Sequence, residues 1–206
     1  MIELTGILLA GGKSRRLGRD KAQELVGGRR IIDRVLHSLR QVTKFQTVVV
    51  DRFERIEELN IDTQINFVLD AYSNSGSLGG LYSGLQQSST SWSVLVACDM
   101  PFLSANLFEF MFAKTLDGDF DVVIPRVEGR LQTTHALYNS SCLEPINARL
   151  KDGLLKMDGY FDNVNVCEIS QDEIFKIEGA ESSFFNVNTG EDLELALQMD
   201  KNTYGD

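Results

Sequence analysis

Leu9-Ala10-Gly11-Gly12-Lys13-Ser14-Arg15-Arg16-Leu17-Gly18-Arg19-Asp20-Lys21 decides how this chain reads. An apolar, strand-like run, Thr5 to Leu9, leads directly into it. Two adjacent glycines and a third at Gly18 leave backbone N–H groups uncovered. Lys13, Arg15, Arg16, Arg19 and Lys21 face a single acid, Asp20. Bare amides beside cations are what a polyphosphate needs. The whole chain carries a net charge of −10, so this local positive charge runs against its background.

Two familiar phosphate loops are excluded by counting. A Walker A loop ending Gly12-Lys13-Ser14 requires glycine at position 7, where Ile7 stands. The dinucleotide fingerprint GxGxxG fails because Gly11 and Gly12 are adjacent. An ordinary βα turn with a solvated basic face is the plainer alternative. The coincidence of paired glycines, strand position and charge favours a nucleotide loop at the carboxyl end of the first strand.

Working outward, short apolar runs alternate with amphipathic segments. Strands are expected at Thr5–Leu9, Thr47–Val50, Asn66–Leu69, Ser93–Ala97 and Asp121–Ile124. Several lack alternation, as strands buried on both faces do. Ile31, Ile32, Val35, Leu36 and Leu39 mark a first helix, and Leu81 and Leu85 anchor a second. Leu107, Phe108, Met111 and Phe112 mark a third, capped by Ser104. Farther on, Thr134–Tyr138 and Val164–Ile169 read as strands and Ser140–Leu150 as a helix. Glu191–Met199 reads as a last helix capped by Thr189, followed by a polar, frayed tail from Lys201. Strands alternating with helices predict one three-layer α/β domain over residues 1–206 with a mostly parallel sheet.

The totals limit the function classes. The acidic balance speaks against nucleic-acid or anionic-membrane binding, and no apolar run reaches the length of a membrane span. Met1-Ile2-Glu3-Leu4 runs straight into the first strand pattern, so no signal peptide is expected. Cys98, Cys142 and Cys167 are scattered and odd in number, as reduced, packed thiols of a cytoplasmic protein are. Asp99 follows the buried run Ser93–Ala97 and precedes Pro101, which turns the chain. It is therefore presented at the same sheet edge as the glycine loop, placed to hold Mg²⁺ against a triphosphate or to cap the next turn.

Leu-Ala-Gly-Gly-x-Ser-x-Arg-Leu-Gly-x-Asp-Lys, as it stands at 9–21, resembles the opening signature of sugar-phosphate-type nucleotidyltransferases. Its ending Gly18-Arg19-Asp20-Lys21-Ala22 is similar to that of the molybdenum cofactor guanylyltransferase family. The resemblance implies a Rossmann-like fold of the nucleotide-diphospho-sugar-transferase type. It implies transfer of GMP from GTP to molybdenum-loaded molybdopterin, with release of pyrophosphate and with Mg²⁺ as cofactor. It also admits other molybdenum cofactor biosynthesis proteins as partners.

Residue by residue, it places Leu9, Ala10, Gly11 and Gly12 around the nucleotide and Lys21 on its phosphates. Cys98-Asp99-Met100-Pro101-Phe102 matches the family's metal motif, which makes Asp99 the metal ligand and Cys98 a packing residue. Asp70, with Asn74 to Leu81 after it, matches the guanine-recognising region, where Ser77 replaces the family's proline. Asp51 stands where the family often has asparagine and is left outside the predicted site. Gln132–Tyr138 and Phe184–Leu193 match later segments, with Thr133 and Gly190 replacing prolines. His135 is then a packed strand residue or a substrate contact, whereas His37 belongs to a helix surface. Asn186 and Asn188, two apart, would project from one strand face to bridge the metal or phosphates and the acceptor, with Asn188 and Thr189 also serving as turn and cap residues. Two rival readings stand beside this one. One is a sister cytidylyltransferase acting on a pterin cofactor or sugar phosphate. The other is a non-catalytic nucleotide-binding domain.

Overall fold

The structure, a computed structural model, describes residues 2–11, 20–61 and 65–204. The first strand, β1 (Ile2–Leu9), is buried on both faces. Leu4 and Leu8 enter one hydrophobic cluster and Ile7 the other, as the two-residue period of a strand requires. A 3-10 turn at Lys21–Gln23 and a two-stranded hairpin, β2 (Leu25–Val26) with β3 (Arg29–Arg30), follow. Helix α1 (Ile31–Val42) buries the apolar stripe read from the sequence, and β4 (Thr43–Val50) pairs parallel with β1. Short helix α2 (Glu54–Leu59), absent from the sequence reading, leads to β5 (Asn66–Leu69), parallel to β4. Helix α3 (Gly76–Gln86) then returns the chain to β6 (Trp92–Ala97), which pairs parallel with the other side of β1.

Helix α4 (Ala105–Lys114) starts where Ser104 accepts a hydrogen bond from the Leu107 N–H, the expected cap. It leads to β7 (Val122–Val127), which pairs with short β8 (Arg130–Leu131). Strand β9 (His135–Asn139) runs antiparallel between β6 and β7. The segment expected as one helix from Ser140 is a 3-10 turn, Ser140–Cys142, followed by α5 (Leu143–Lys151). Strand β10 (Val166–Ile169) closes that edge parallel to β7, and α6 (Gln171–Ile174) follows. The last helix, α7 (Gly190–Tyr204), runs past the point where fraying was expected.

Across the sheet the order is β10-β7-β9-β6-β1-β4-β5, parallel except for β9 and the side strand β8. One cluster packs α1 and α4 residues such as Leu36, Leu39 and Phe108 on this sheet. The second packs Leu81, Leu85 and Ile146 of α3 and α5 on the opposite face. This is the three-layer α/β arrangement expected. Among the described residues no helix is long and apolar enough to cross a membrane.

Sheet register places the site. Leu9 lies opposite both Val49 of β4 and Ala97 of β6, and Val50 lies opposite Leu69. Pairing continues one step beyond the strands: Ala10 N donates to Val49 O at 2.9 Å, Asp70 N to Val50 O at 2.8 Å, and Cys98 N to Leu9 O at 3.2 Å. Four parallel strands therefore end level, and Gly11, Asp51, Asp70 and Asp99 emerge along one carboxyl edge. The chain leaves β1 toward β4 and reaches β6 on the other side, so this edge includes a switch in strand order.

Candidate active site

Helix α3 seats closely on β1 because Gly80 and Gly84 face the strand. A Cβ at Gly80 would stand 2.7 Å from Leu9 Cδ2, and one at Gly84 only 2.5 Å from Ile7 Cγ2. The four-residue spacing puts both glycines on one helix face. The close seating brings the start of α3 to the sheet edge. A cavity of about 300 Å³ opens there between Leu9, Gly11, Asp51, Asp70, Asn74 and Ser77. The stretch expected as a base-recognising loop is thus partly the first turn of a helix, whose leading N–H groups lack helical partners.

Each predicted nucleotide residue has a definite place. Leu9 and Gly11 line the cavity. A side chain at Gly11 would press on Asp51 N at 3.0 Å, so the close approach of this loop to the end of β4 already demands glycine. Ala10 differs from expectation. It is fully buried, its N–H is spent on Val49 O, and its carbonyl accepts from Arg55 Nε at 3.1 Å. It offers no free amide and fixes where Gly11 begins. Gly12 lies outside the described residues, as do Lys13 to Arg19.

Asp70 lines the cavity while holding the turn that follows. Its Oδ1 accepts from Tyr72 N at 3.0 Å and lies 3.1 Å from Ser83 Oγ. Burial raises its pKa, the two hydrogen bonds pull it down, and Asp51 raises it further. Asp51, left aside in the sequence reading, lines the same cavity. A carboxylate on that wall suits donors such as the N1–H and 2-amino group of guanine.

Beyond the neighbouring β6 end, Lys21 Nζ donates to Asn188 Oδ1 at 2.6 Å and stands 3.6 Å from Asp99 Oδ2. Asp99 is held by its own strand end and by the last segment of the chain, since Val187 N donates to Asp99 O at 2.9 Å. Burial raises the Asp99 pKa, and Lys21 opposes it. Asn188 is fixed in turn by Asp192 Oδ2, which accepts from Asn188 N and Thr189 N, both at 2.8 Å. Thr189 Oγ1 accepts from Asp192 N in return, a reciprocal cap at the start of α7. Two hard oxygens, Asp99 Oδ2 and Asn188 Oδ1, therefore converge on one cationic position. The described residues hold no group of three His, Cys, Asp or Glu poised for a metal. A single carboxylate suits Mg²⁺, which takes its remaining ligands from phosphates and water. Asp99 fits that part, while Asn188 Oδ1 is taken by Lys21.

Asn186 does not join this cluster. Residues 185–188 form no strand, so the shared strand face expected for the two asparagines is absent. Here the backbone is held by isolated bonds instead of a ladder. Asn186 Nδ2 donates to Phe184 O at 3.0 Å, and the residue lines a separate cavity of about 870 Å³ with Arg130, Gln132, Phe175, Phe184 and Phe185. His135 is a packed strand residue. It is fully buried between Phe108 and Phe184, each with ring centroids 4.7 Å away, and its Nε2 lies 3.2 Å from Ser183 Oγ. Burial pushes its pKa down to about 3. Cys98 is packed as expected, with burial first among the causes that push its thiol up to about 12. His37 is exposed on α1.

Sequence reasoning missed Arg55, which is buried yet sits in the charged run Glu54-Arg55-Ile56-Glu57-Glu58. Nothing in such a run marks one arginine as the inward one.

A glycine turn, a lysine and an acid at the carboxyl edge of a parallel sheet define a nucleotide-binding α/β domain. The chain belongs to the MobA-like NTP transferase family, whose domain model matches residues 6–159. A probable molybdenum cofactor guanylyltransferase of Pelotomaculum thermopropionicum is 33% identical over 203 residues, covering 98% of this chain and 96% of that protein. A molybdenum cofactor guanylyltransferase of Desulfosudis oleivorans is 30% identical over 197 residues, 95% of each chain. In three dimensions, molybdopterin-guanine dinucleotide biosynthesis protein A of Archaeoglobus fulgidus superposes with TM-score 0.85 at 24% identity, over 97% of this chain and 100% of that one. The 2-C-methyl-D-erythritol 4-phosphate cytidylyltransferase of Thermus thermophilus shares the fold more loosely, with TM-score 0.68 at 15% identity, 97% of this chain and 100% of that one.

Proposed function

We propose that this chain is a Mg²⁺-dependent guanylyltransferase of one domain, which transfers GMP from GTP to molybdenum-loaded molybdopterin and releases pyrophosphate. The observation that carries this reading is the convergence of Lys21 and Asn188 on Asp99, beside the Gly11 turn. The curated relatives named for the same transfer support it. Three free thiols suit a cytoplasmic setting.

GTP enters with its base in the cavity bounded by Asp51, Asp70 and the start of α3. Its phosphates then pass the Gly11 turn toward Lys21. A terminal phosphate oxygen of the acceptor attacks the α-phosphorus in line, and pyrophosphate leaves. Lys21 offsets charge on the phosphates as a mobile cation. Asp99 would hold Mg²⁺, which would supply further positive charge to the triphosphate, while Asn188 holds Lys21. The chain contributes positioning and electrostatics and no covalent nucleophile. Asn186 and the larger cavity beside it lie on the acceptor side. Oxygen acceptors at both Asp51 and Asp70 favour guanine over cytosine, whose pairing edge offers fewer donors.

The test incubates the protein with molybdenum-loaded molybdopterin, Mg²⁺ and GTP or CTP, and separates the products. A guanine dinucleotide formed from GTP supports the reading. A dinucleotide formed only from CTP moves the chain to the cytidylyltransferases, and tight GTP binding without product makes it a nucleotide sensor.

A further inference from the structure

Arg55 reaches both ends of the loop that joins β1 to the lysine. Its Nε donates to Ala10 O at 3.1 Å, where β1 ends. Its Nη2 donates to Asp20 Oδ1 at 2.8 Å, and its Nη1 donates to Asp20 Oδ2, which makes the pair bidentate. Asp20 Oδ1 in turn accepts from Ala22 N at 3.2 Å and caps the 3-10 turn whose first residue is Lys21. One planar guanidinium therefore joins the carbonyl at position 10 to the cap of position 21. Hydrogen bonding to Arg55 is the first cause that lowers the Asp20 pKa, and the same bond raises that of Arg55.

Helix α2 is a fixed mount for this side chain. Gln23 Nε2 donates to Glu58 O at 2.8 Å, and Arg30 Nη1 to Leu59 O at 2.7 Å, so the helix is tied to the chain on both sides of the hairpin. Glu58 accepts from Arg55 Nη1 at 3.3 Å and from Arg52 Nη2 at 2.7 Å. Arg55 is 6% exposed and is not among the residues lining the nucleotide cavity.

We propose that Arg55 is a positioning residue for Lys21: it clamps the carbonyl of Ala10 to the carboxylate of Asp20 and so sets where Lys21 meets the nucleotide. This rests on the nucleotidyltransferase reading. Lysine cannot replace arginine here, because a single ammonium cannot span a carbonyl and both oxygens of a carboxylate in one plane.

Calorimetry with nucleotide and Mg²⁺, paired with thermal melting, tests the clamp. Loss of the charged hydrogen bonds that join Ala10 to Asp20 raises the GTP Kd of Arg55→Ala about tenfold or more. Arg55→Lys stays weak. Millimolar guanidinium, too dilute to denature, restores part of the affinity of Arg55→Ala and leaves wild type unchanged. Asp20→Asn shows the same loss, and the double variant is no worse than the worse single one. A purely structural arginine gives a lower melting point with unchanged Kd, or no guanidinium rescue, and either result overturns the clamp. Should Arg55→Ala not fold, Asp20→Asn at a partly exposed position decides alone, and an unchanged Kd there overturns it. Wild type that binds no nucleoside triphosphate overturns the clamp together with the functional reading, whereas normal wild-type binding with intact Arg55→Ala affinity overturns the clamp only.

Discussion

The two sides of the site are built by different means. On the side proposed for the nucleotide, Gly11, Asp51, Asp70 and Asp99 share one edge because four parallel strands end in register. On the far side, Asn186 and Asn188 stand on a segment outside any ladder, held by single bonds to Asp99, Phe184 and Lys21 and by a helix cap. A ladder fixes many residues at once, so one strand-end acid implies the next. Isolated bonds fix one residue each, so neighbours two apart can serve different cavities.

Removing the acid at the junction gives the largest effect expected. Asp99→Ala lowers kcat about a hundredfold to a thousandfold, the scale of a lost transition-state charge partner. It also weakens Mg²⁺-dependent GTP binding. Steady-state kinetics with circular dichroism as a fold check measures this, and near-normal transfer would break the assignment of Asp99 to the nucleotide side. Lys21→Ala comes next, costing about 1.5–3 kcal/mol in transition-state stabilisation, the size of a charge-assisted contact. An equal loss in Asn188→Ala would show that the amide does more than steady the lysine.

The stack around His135 tests the far side through pH. Its folded pKa, about 3, lies below the usual 6.5, so the unfolded chain binds the extra proton first. Stability from the neutral ring is present above pH 6.5 and is lost as pH falls toward 3. Between pH 7 and pH 5 the loss is about 2 kcal/mol. Urea titrations of wild type and His135→Gln should differ in slope over that window, and parallel slopes would show that the ring is not buried neutral. Gly84→Ala follows. The new methyl group collides with Ile7, a cost of about 1–3 kcal/mol partly offset by better helix propensity. The net effect is a melting-point drop, with weaker GTP binding as α3 is pushed off β1. Smallest is Asn186→Ala, which should leave GTP affinity within about twofold and raise the KM of the acceptor. A GTP affinity loss equal to that of Lys21→Ala would merge the two sides.

These differences also explain what the chain discloses before it folds. Buried strands and amphipathic helices carry period, so β1, β4, β5, β6 and α1 were readable to within a few residues at their ends. Lys21 and Asp99 were singled out by their match to the family's opening and metal motifs, and the fold brings their side chains to 3.6 Å. The partnership of Lys21 with Asn188 crosses 167 positions, and no local pattern encodes it. Helix α2 escaped because it has six residues, four of them charged. The asparagine pair was misplaced because period-two spacing implies one face only where a strand exists.

The bond from Val187 N to Asp99 O, with Lys21 on Asn188 beside it, also orders events during synthesis. A ribosome adding about 5–20 residues per second finishes the Gly11 turn long before it makes Asn188. The cavity is complete only once α3 is made, and for roughly five to twenty seconds after that the nascent chain holds the cavity without the amide that pairs with Lys21. On the proposed function, nucleotide capture then matures before nucleotide turnover.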